Sequence, residues 1–475
     1  MSSAPFGSPV RSATFVPVNR TLLSARPSVI SQDIAFQFPA GIVNFSKIKP
    51  FAMTNRTAEP LFDERAAKNV VSRLKTKFSD LWNCTSDSPR LYEKTYDPEQ
   101  QKEHEQQLVR LLDEEHAGSS AGDAYPEYFQ RVRDCVRDLV LESVDEEKRE
   151  QVRLMLDSFS DAGDEFVHRA RTFDKDLKFA GIFQGLRNLW IINSMQAAFG
   201  IPICVNPSGF AYSLLYTYSD NYLDSTEISN EDKDEFSRMF GRRLAGFGLH
   251  DETVLMTRIS SLVRFIEEEY PRDLFPEVFW SLLSIHYAQN ESLNQRCEIP
   301  GCAMADILGV SVEKGGTSVV ADAYLAKGRL NPVETEFAFG YGVFLQFIDD
   351  LQDVKEDLAG GSETLFTQAA RRGNLDTITV RLINYVREVL LSVRPLHGPR
   401  AEPLTELIQQ GSISLILESI ALNPEMFSQR FARVVEPYSP LKFDAIRRLH
   451  TKRATLEQKL ASHEEPALLQ TLQFA

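Results

Sequence analysis

The chain has 475 residues, of which 43% are apolar and 25% are charged, values typical of a globular protein with one large core. Its net charge of −15 argues against a nucleic-acid partner, because phosphate backbones attract clustered lysine and arginine side chains. The five cysteines are odd in number and form no Cys-x-x-Cys pair. They therefore indicate a reducing compartment and give no support for a zinc site or a disulfide framework.

Residues 1–57 differ in composition from the rest of the chain. They contain a single acid, Asp33, against six lysines and arginines, together with many serines and prolines. No apolar core followed by a cleavage site is evident, which argues against a secretory signal, and the composition is typical of an organellar transit peptide. A disordered tail is the alternative. We therefore expect a cytoplasmic or organellar protein rather than a secreted one.

Residues 58–165 are strongly charged and have the composition of helices. The stretch 98–116 is mostly polar with a thin apolar stripe, and 126–142 places apolar residues at helical spacing. Neither stretch carries a pattern that points to chemistry. We predict a helical extension that packs against a main domain at 166–465.

The main domain begins with a helix that is apolar on all sides. The stretch 177–201 contains too few polar residues for a surface helix. The most apolar long stretch, 189–205, includes Asn193, Gln196 and Pro202 and is therefore a poor membrane span. Elsewhere the chain shows no two-residue alternation typical of strands. We therefore predict an all-α protein with no transmembrane span. Further helical patterns cover 233–247, 252–269, 274–296, 301–328, 363–394, 402–422 and 425–460.

An apolar and aromatic run at 337–348 turns abruptly acidic at Asp349, Asp350 and Asp353, with Asp357 one turn further on. On a helix, Asp349, Asp353 and Asp357 lie on one face. Carboxylates roughly 6 Å apart repel each other by about 3 kcal/mol at an effective dielectric constant near 20. Such a row is either a solvated helix end or a site for a hard divalent cation, Mg²⁺ above all.

A second apolar helix ends in the same way. The stretch 208–229 is aromatic at first and then carries Asp220 and Asp224, four residues apart. Two such helices that face each other across a cavity would bring their carboxylates to one rim, above an apolar pocket. That arrangement suits a ligand with a polyanionic head and an apolar tail, and it would hold several Mg²⁺ ions.

At this point the sequence resembles a known family. Residues 344–357, FLQFIDDLQDVKED, resemble the second aspartate-rich motif of trans-isoprenyl diphosphate synthases, FQxxDDxxD. DNYLD at 220–224 is similar to their first motif, DDxxD, with Asn221 in place of the second aspartate, and Lys314-Gly-Gly-Thr317 is similar to their Lys-Thr-Gly element. The resemblance covers roughly residues 180–365. It implies the class I terpenoid synthase fold, a bundle of antiparallel helices around a deep apolar cavity.

Departures from that family narrow the expected activity. Chain-elongating members hold isopentenyl diphosphate with a GKxxRP element upstream of the first motif and an Arg-Arg pair shortly after it, and neither is found at those positions here. We therefore expect a Mg²⁺-dependent terpene synthase that ionises one prenyl diphosphate and cyclises or quenches the cation, although no NSE/DTE motif is recognisable. A trans-isoprenyl diphosphate synthase is the first alternative. A non-catalytic regulatory subunit of a prenyl synthase is the alternative of another class.

The resemblance and the residue pattern together predict a site with three parts. A prenyl diphosphate is the expected small-molecule partner, with three Mg²⁺ ions as cofactor, and a homodimer is compatible with the resemblance. The predicted catalytic metal ligands are Asp220, Asp224, Asp349 and Asp353, with Asp350 as a further metal ligand. The predicted diphosphate-binding residues are Lys314, Arg238, Arg242 and Arg243. The predicted pocket residues are Tyr212, Tyr216, Phe337, Tyr341, Phe344 and Gln346.

Overall fold

The computed structural model describes residues 64–89, 95–117, 134–135, 137–225, 227–248, 253–293, 306–392 and 401–461. These residues form helices and connecting turns, without a β-strand among them, so the all-α prediction is confirmed. Glu59–Ala475 is one compact unit. Met1–Ala58 is a separate unit that lies outside the described residues, together with the predicted transit segment.

The described α-helices are numbered here in chain order. The first eight are α1 (Glu64–Cys84), α2 (Pro98–Ala117), α3 (Arg149–Phe173), α4 (Phe179–Ala198), α5 (Pro207–Asp224), α6 (Asn230–Leu244), α7 (Val254–Glu269) and α8 (Pro276–Leu293). The others are α9 (Ile307–Lys327), α10 (Pro332–Gln352), α11 (Val354–Gly360), α12 (Leu365–Arg372), α13 (Asp376–Ser392), α14 (Ala401–Leu422), α15 (Gln429–Val435) and α16 (Phe443–Ala461).

Helices α9 and α10 form an antiparallel hairpin at the centre of the bundle. Gly328 ends α9 with φ of 78°, a left-handed conformation that residues with a side chain rarely adopt. Three residues later Asn331 caps α10: its side chain accepts hydrogen bonds from the backbone N–H groups of Val333 and Glu334 at 2.9 and 3.0 Å. The Glu334 carboxylate accepts in return from the Asn331 N–H at 2.9 Å, which completes a capping box.

The two helices of the hairpin cross at a pair of glycines. A Cβ atom built on Gly342 would lie 2.0 Å from the carbonyl oxygen of Gly315, and one on Gly315 would lie 2.5 Å from that of Gly342. Such distances leave no room for a side chain. The glycines that follow Lys314 therefore serve helix packing, and the close crossing sets Lys314 beside α10.

The core also takes in α1, which belongs to the segment predicted as an extension. Phe78 stacks on Phe339 of α10 with ring centres 5.7 Å apart, and Trp82 lies 4.6 Å from the Phe347 ring. All four side chains are buried, and each stabilises the fold by roughly 2 kcal/mol. The predicted boundary at 165/166 falls inside α3, so the described part of the extension is continuous with the bundle.

Some helical patterns cover more than one helix. The pattern at 363–394 is divided into α12 and α13 around Gly373. The pattern at 425–460 is interrupted between α15 and α16, where Pro437 and Pro440 lack the N–H that a helix interior requires. No helix among the described residues is long and apolar enough to cross a membrane.

Candidate functional site

The acidic row continues from the end of α10 into α11. Helix α10 ends at Gln352, and Asp353 has φ −91° and ψ 9°, so the chain bends there. The Asp353 N–H still donates to the Asp349 carbonyl at 2.9 Å, and the Asp357 N–H donates to the Asp353 carbonyl at 2.8 Å. These i to i+4 bonds keep the three aspartates in helical register, as predicted from their spacing.

The carboxyl groups of this row repel one another. Partial removal from water, together with the charges of Asp349 and Asp357, raises the pKa of Asp353 to about 7. Burial also raises the pKa of Asp357, with a further contribution from Asp349. In both cases the protein disfavours the ionised form. The row therefore carries negative charge that the surrounding protein offsets only in part.

Lys314 supplies positive charge next to this row. Its ammonium group lowers the pKa of Asp350 and of Asp357, against the larger opposing effect of burial on each. The side chain is half-buried and leaves α9 just before the glycine crossing. The structure thus brings Lys314 together with the acidic row, and its role in diphosphate binding stays a prediction.

Asp350 points away from the row, into the contact between α9 and α10. It is only 6% exposed, Gln346 donates to its Oδ1 at 2.8 Å, and Ser311 donates to its Oδ2 at 3.3 Å. Burial raises the pKa of Asp350 to about 7. Gln346, predicted to line the pocket, instead holds this carboxyl, and the missing side chain at Gly315 makes room for it. Its role as a metal ligand stays a prediction.

Helix α4 links the acidic row to the other aspartate helix. The Gln184 side chain donates from Nε2 to Oδ2 of Asp220 at 2.7 Å. Arg187 lies almost one turn further along α4, and its positive charge lowers the pKa of Asp353, although burial, the largest effect, keeps that pKa raised. Asp220 and Asp353 therefore approach the same end of α4. The Asp224 side chain lies outside the described residues.

Sequence reasoning missed the site contacts of Gln184 and Arg187. Both are polar residues within a largely apolar helix, three positions apart and therefore on neighbouring parts of one face. This pattern was visible in the sequence. What it did not show was which helices that face would meet.

The three predicted arginines of α6 are engaged elsewhere. Arg238 forms an ion pair with a glutamate of its own helix, and the guanidinium carbon of Arg242 lies 5.1 Å from the centre of the Phe247 ring. Arg243 donates to both carboxylate oxygens of Glu267 on α7, at 2.8 and 2.7 Å. These partners tie α6 to itself and to α7. None of them belongs to the two acidic helices.

The predicted aromatic pocket residues form a buried group, with one exception. Tyr212, Phe337, Tyr341 and Phe344 are buried, whereas Tyr216 is 40% exposed. The Tyr341 ring centre lies 6.0 Å from that of Phe337 and 5.1 Å from that of Phe344. These contacts are those of a packed core. The deep apolar cavity expected from the resemblance therefore stays a prediction.

The acidic helices match Mg²⁺ in charge and in donor type, because carboxylate oxygens are its preferred protein ligands. The mutual repulsion within the row is a second point of agreement, since a bound dication would offset it. Among the described side chains, which do not include that of Asp224, no group of three or more His, Cys, Asp or Glu is arranged to hold a metal. The ligands are thus of the right kind but are not gathered around one point.

In chemical terms, this end of the bundle offers carboxylates for a metal, one lysine and one arginine for an anion, and buried aromatic rings behind them. That is a set of groups for binding a metal-complexed polyanion with an apolar tail. Comparison with known proteins adds no relative to this description: no protein family, no curated protein and no solved structure matches the chain.

Proposed function

We propose that the protein is a Mg²⁺-dependent class I terpene synthase, which ionises an allylic prenyl diphosphate and then cyclises or quenches the carbocation. One observation carries this proposal: the two aspartate helices, α5 and α10, approach the same end of α4. There the Gln184 side chain donates a hydrogen bond to Asp220, and the positive charge of Arg187 lowers the pKa of Asp353. Two acidic rows that converge in this way are hard to explain as separate solvated helix ends.

The residues of the converging helices have distinct roles in this proposal. Asp220, Asp224, Asp349 and Asp353 would hold the metal, and bound Mg²⁺ would act as a Lewis acid that neutralises charge on the diphosphate leaving group. Lys314, whose charge acts on Asp357 of the row, is suited to donate hydrogen bonds to a diphosphate.

The buried aromatic side chains next to the acidic helices are suited to protect and stabilise a carbocation. Carbocations require a dry environment, because water quenches them. The faces of aromatic rings stabilise passing positive charge by roughly 0.5–2 kcal/mol each. Tyr212, Tyr341 and Phe344 are buried on the two aspartate helices, which supports a role for this aromatic group as the wall of the apolar pocket.

Chain elongation is less well supported than cyclisation. A second diphosphate would need its own basic residues, and the arginines downstream of Asp220 are committed to Glu235, Phe247 and Glu267. Arg187 is the basic residue that the structure adds near the acidic row. One such residue supports the binding of one diphosphate better than the binding of two.

The proposal is tested by incubating the purified chain with geranyl, farnesyl or geranylgeranyl diphosphate, with Mg²⁺ or with a chelator, and with or without isopentenyl diphosphate. We expect Mg²⁺-dependent release of diphosphate and a hydrocarbon or alcohol product by mass spectrometry. A longer prenyl diphosphate that forms only with isopentenyl diphosphate would establish chain elongation instead. No release from any of the three substrates would refute both activities and favour the regulatory subunit.

The metal assignment is tested by the double variant Asp349→Asn, Asp353→Asn. We expect at least a ~100-fold loss of diphosphate release, because two carboxylate ligands lose their charge, while the far-ultraviolet circular dichroism stays that of an all-helical protein. Asp234→Asn, at an exposed position on α6, is the matched control for charge removal. Equal activity of the double variant and the control would remove the metal site from this face.

A further inference from the structure

A buried carboxyl group lies among the helices that form the candidate site. Asp322 of α9 is fully buried, with 0% exposure. The Asn188 side chain on α4 donates from Nδ2 to its Oδ1 at 3.3 Å and also to the Ser213 hydroxyl at 3.3 Å. Within the described part of the chain, Oδ2 of Asp322 has no hydrogen-bond partner. A buried polar oxygen without a partner costs about 1–3 kcal/mol, so it calls for an explanation.

Two of the aromatic residues interact electrostatically with this carboxyl. Burial raises the pKa of Tyr212 well above its ordinary value, and interaction with Asp322 adds to the effect. Burial raises the pKa of Tyr341 to about 12, where a hydrogen bond with Ser194 opposes the rise and Asp322 contributes to it. Helices α4, α5, α9 and α10 thus each contribute to one polar cluster: Asp322, Asn188, Ser213, Ser194, Tyr212 and Tyr341.

The cluster lies at a definite depth below the acidic rim. Tyr212 precedes Asp220 by eight residues, Tyr341 precedes Asp349 by eight, and on the antiparallel α9 the cluster residue Asp322 follows Lys314 by eight. Eight helical residues span ~12 Å. A prenyl chain whose diphosphate is bound at the rim extends its hydrocarbon part toward this level.

The hydrogen bonds indicate which oxygen carries the proton. A carboxyl group without a countercharge in a buried site is held in its neutral form, because ionisation would place an unpaired charge in a low dielectric. Asn188 donates to Oδ1, which identifies Oδ1 as the carbonyl oxygen. Oδ2 then carries the hydroxyl proton, and no acceptor among the described residues takes it. This is the arrangement of a general acid that awaits a substrate.

We propose that Asp322 is a catalytic acid that protonates a carbon–carbon double bond of a neutral hydrocarbon intermediate, formed after the prenyl diphosphate has been ionised at the rim. The inference rests on the proposed function. It adds that the reaction contains a protonation step deep in the bundle.

Protons and electron pairs are conserved through the protonation step. The first carbocation loses a proton to the released diphosphate and becomes a neutral polyene. The Asp322 Oδ2–H bond then breaks, the π pair of one double bond forms a new C–H bond with that proton, and the neighbouring carbon becomes cationic. A carbon next to the cationic centre finally returns a proton to the Asp322 carboxylate, and its C–H pair becomes the double bond of the product.

The test compares the wild-type chain with Asp322→Asn and Asp322→Leu in deuterated buffer, with each of the three prenyl diphosphates. The wild type should give a product that carries one deuterium from solvent, because the proton returned to Asp322 exchanges with water after the product has left. In both variants the yield of that product should fall ~100-fold, the magnitude of lost general-acid catalysis. The neutral polyene should accumulate in its place, while diphosphate release stays within about threefold of wild type, because the rim is unchanged.

A second measurement does not depend on turnover. The infrared difference spectrum of wild type minus Asp322→Asn should contain the carbonyl stretching band of a protonated carboxyl group. Asp174→Asn is the matched control: its carboxyl is also buried, yet it is held by Arg258 at 3.0 Å and Tyr218 at 2.6 Å. The wild type minus Asp174→Asn spectrum should lack this band.

The possible results separate this inference from the proposed function. Diphosphate release with an undeuterated product, or with an unchanged product in both variants, overturns the role of Asp322 and leaves the synthase proposal in place. Absence of the protonated carboxyl band also overturns it. No diphosphate release from wild type overturns the synthase proposal and this inference together.

Discussion

The ionisation of Asp350 should change the free energy of unfolding of the protein. This residue is buried between α9 and α10, with Gln346 and Ser311 as hydrogen-bond partners. We predict that Asp350→Asn stabilises the metal-free protein at pH 8 and has little effect near pH 4. Asparagine keeps the size of the side chain and its acceptor for Gln346. Its amide can donate to the Ser311 hydroxyl, so that the main change is the loss of ionisation.

The magnitude follows from the shift in pKa. Burial raises the pKa of Asp350 from the ordinary 3.8 to about 7, so the folded state holds a proton that the unfolded chain has already released. The free energy of unfolding therefore falls as pH rises from about 4 to about 7, and it levels off above that. At 1.36 kcal/mol per pKa unit the full loss is about 4 kcal/mol, of which about 3 kcal/mol falls between pH 5 and pH 8. Asp350→Asn should abolish this part of the pH dependence.

The assay is urea unfolding in the presence of a chelator, followed by circular dichroism at pH 5, 6, 7 and 8, for wild type, Asp350→Asn and the exposed control Asp234→Asn. The difference between Asp350→Asn and wild type should increase steadily across this range, and the difference for the control should stay constant. If the difference in the free energy of unfolding is independent of pH or decreases with pH, ionisation of Asp350 does not destabilise the folded protein. The electrostatic description of this end of α10 would then be wrong.

Three further predictions concern packing and charge. Gly342→Ala should destabilise the protein by more than ~3 kcal/mol, because a Cβ atom would lie 2.0 Å from a carbonyl oxygen of α9; Gly360→Ala, with no atom within 4 Å, should be neutral or slightly stabilising in the same urea titration. Saturating Mg²⁺, at about 100 times its dissociation constant, should stabilise wild type by about 2.7 kcal/mol and the double variant Asp349→Asn, Asp353→Asn by much less, measured by thermal unfolding with and without the metal. Lys314→Gln should raise the KM for the prenyl diphosphate more than Lys314→Arg does, because only the arginine keeps a charged donor for the anion; equal effects in steady-state kinetics would contradict a role in diphosphate binding.

Most of the helices were predictable because their patterns are strong and local. The acidic row of α10, the buried helix α4 and the amphipathic stretch of α2 each follow from the spacing of apolar and charged residues. The divisions of the last helices were not recognised, although Pro437 and Pro440 were visible. When two helices have the same apolar periodicity, the periodicity alone does not reveal the break between them.

The composition of the site was harder to predict than its position. The sequence places Asp349, Asp350 and Asp353 together, and nothing in that run shows that Asp350 faces α9. The same holds for the α6 arginines, whose glutamate and aromatic partners lie on elements that only the fold brings near. Which residues share a rim depends on how helices cross, and a single sequence does not contain the crossing angles.

Helix α4 explains why the rim and the buried cluster belong to one site. Its polar side chains Gln184 and Asn188 lie one turn apart on one face: the first binds Asp220, and the second binds Asp322. Gly185, between them, allows the backbone of α5 to approach, since an added Cβ would lie 3.2 Å from the Ser213 carbonyl oxygen. A helix needs no polar residues at two depths of its buried face to pack against α5, because each costs desolvation that an apolar residue avoids. Under the proposed function, the charged head of the ligand lies beside Gln184 and its hydrocarbon part lies beside Asn188.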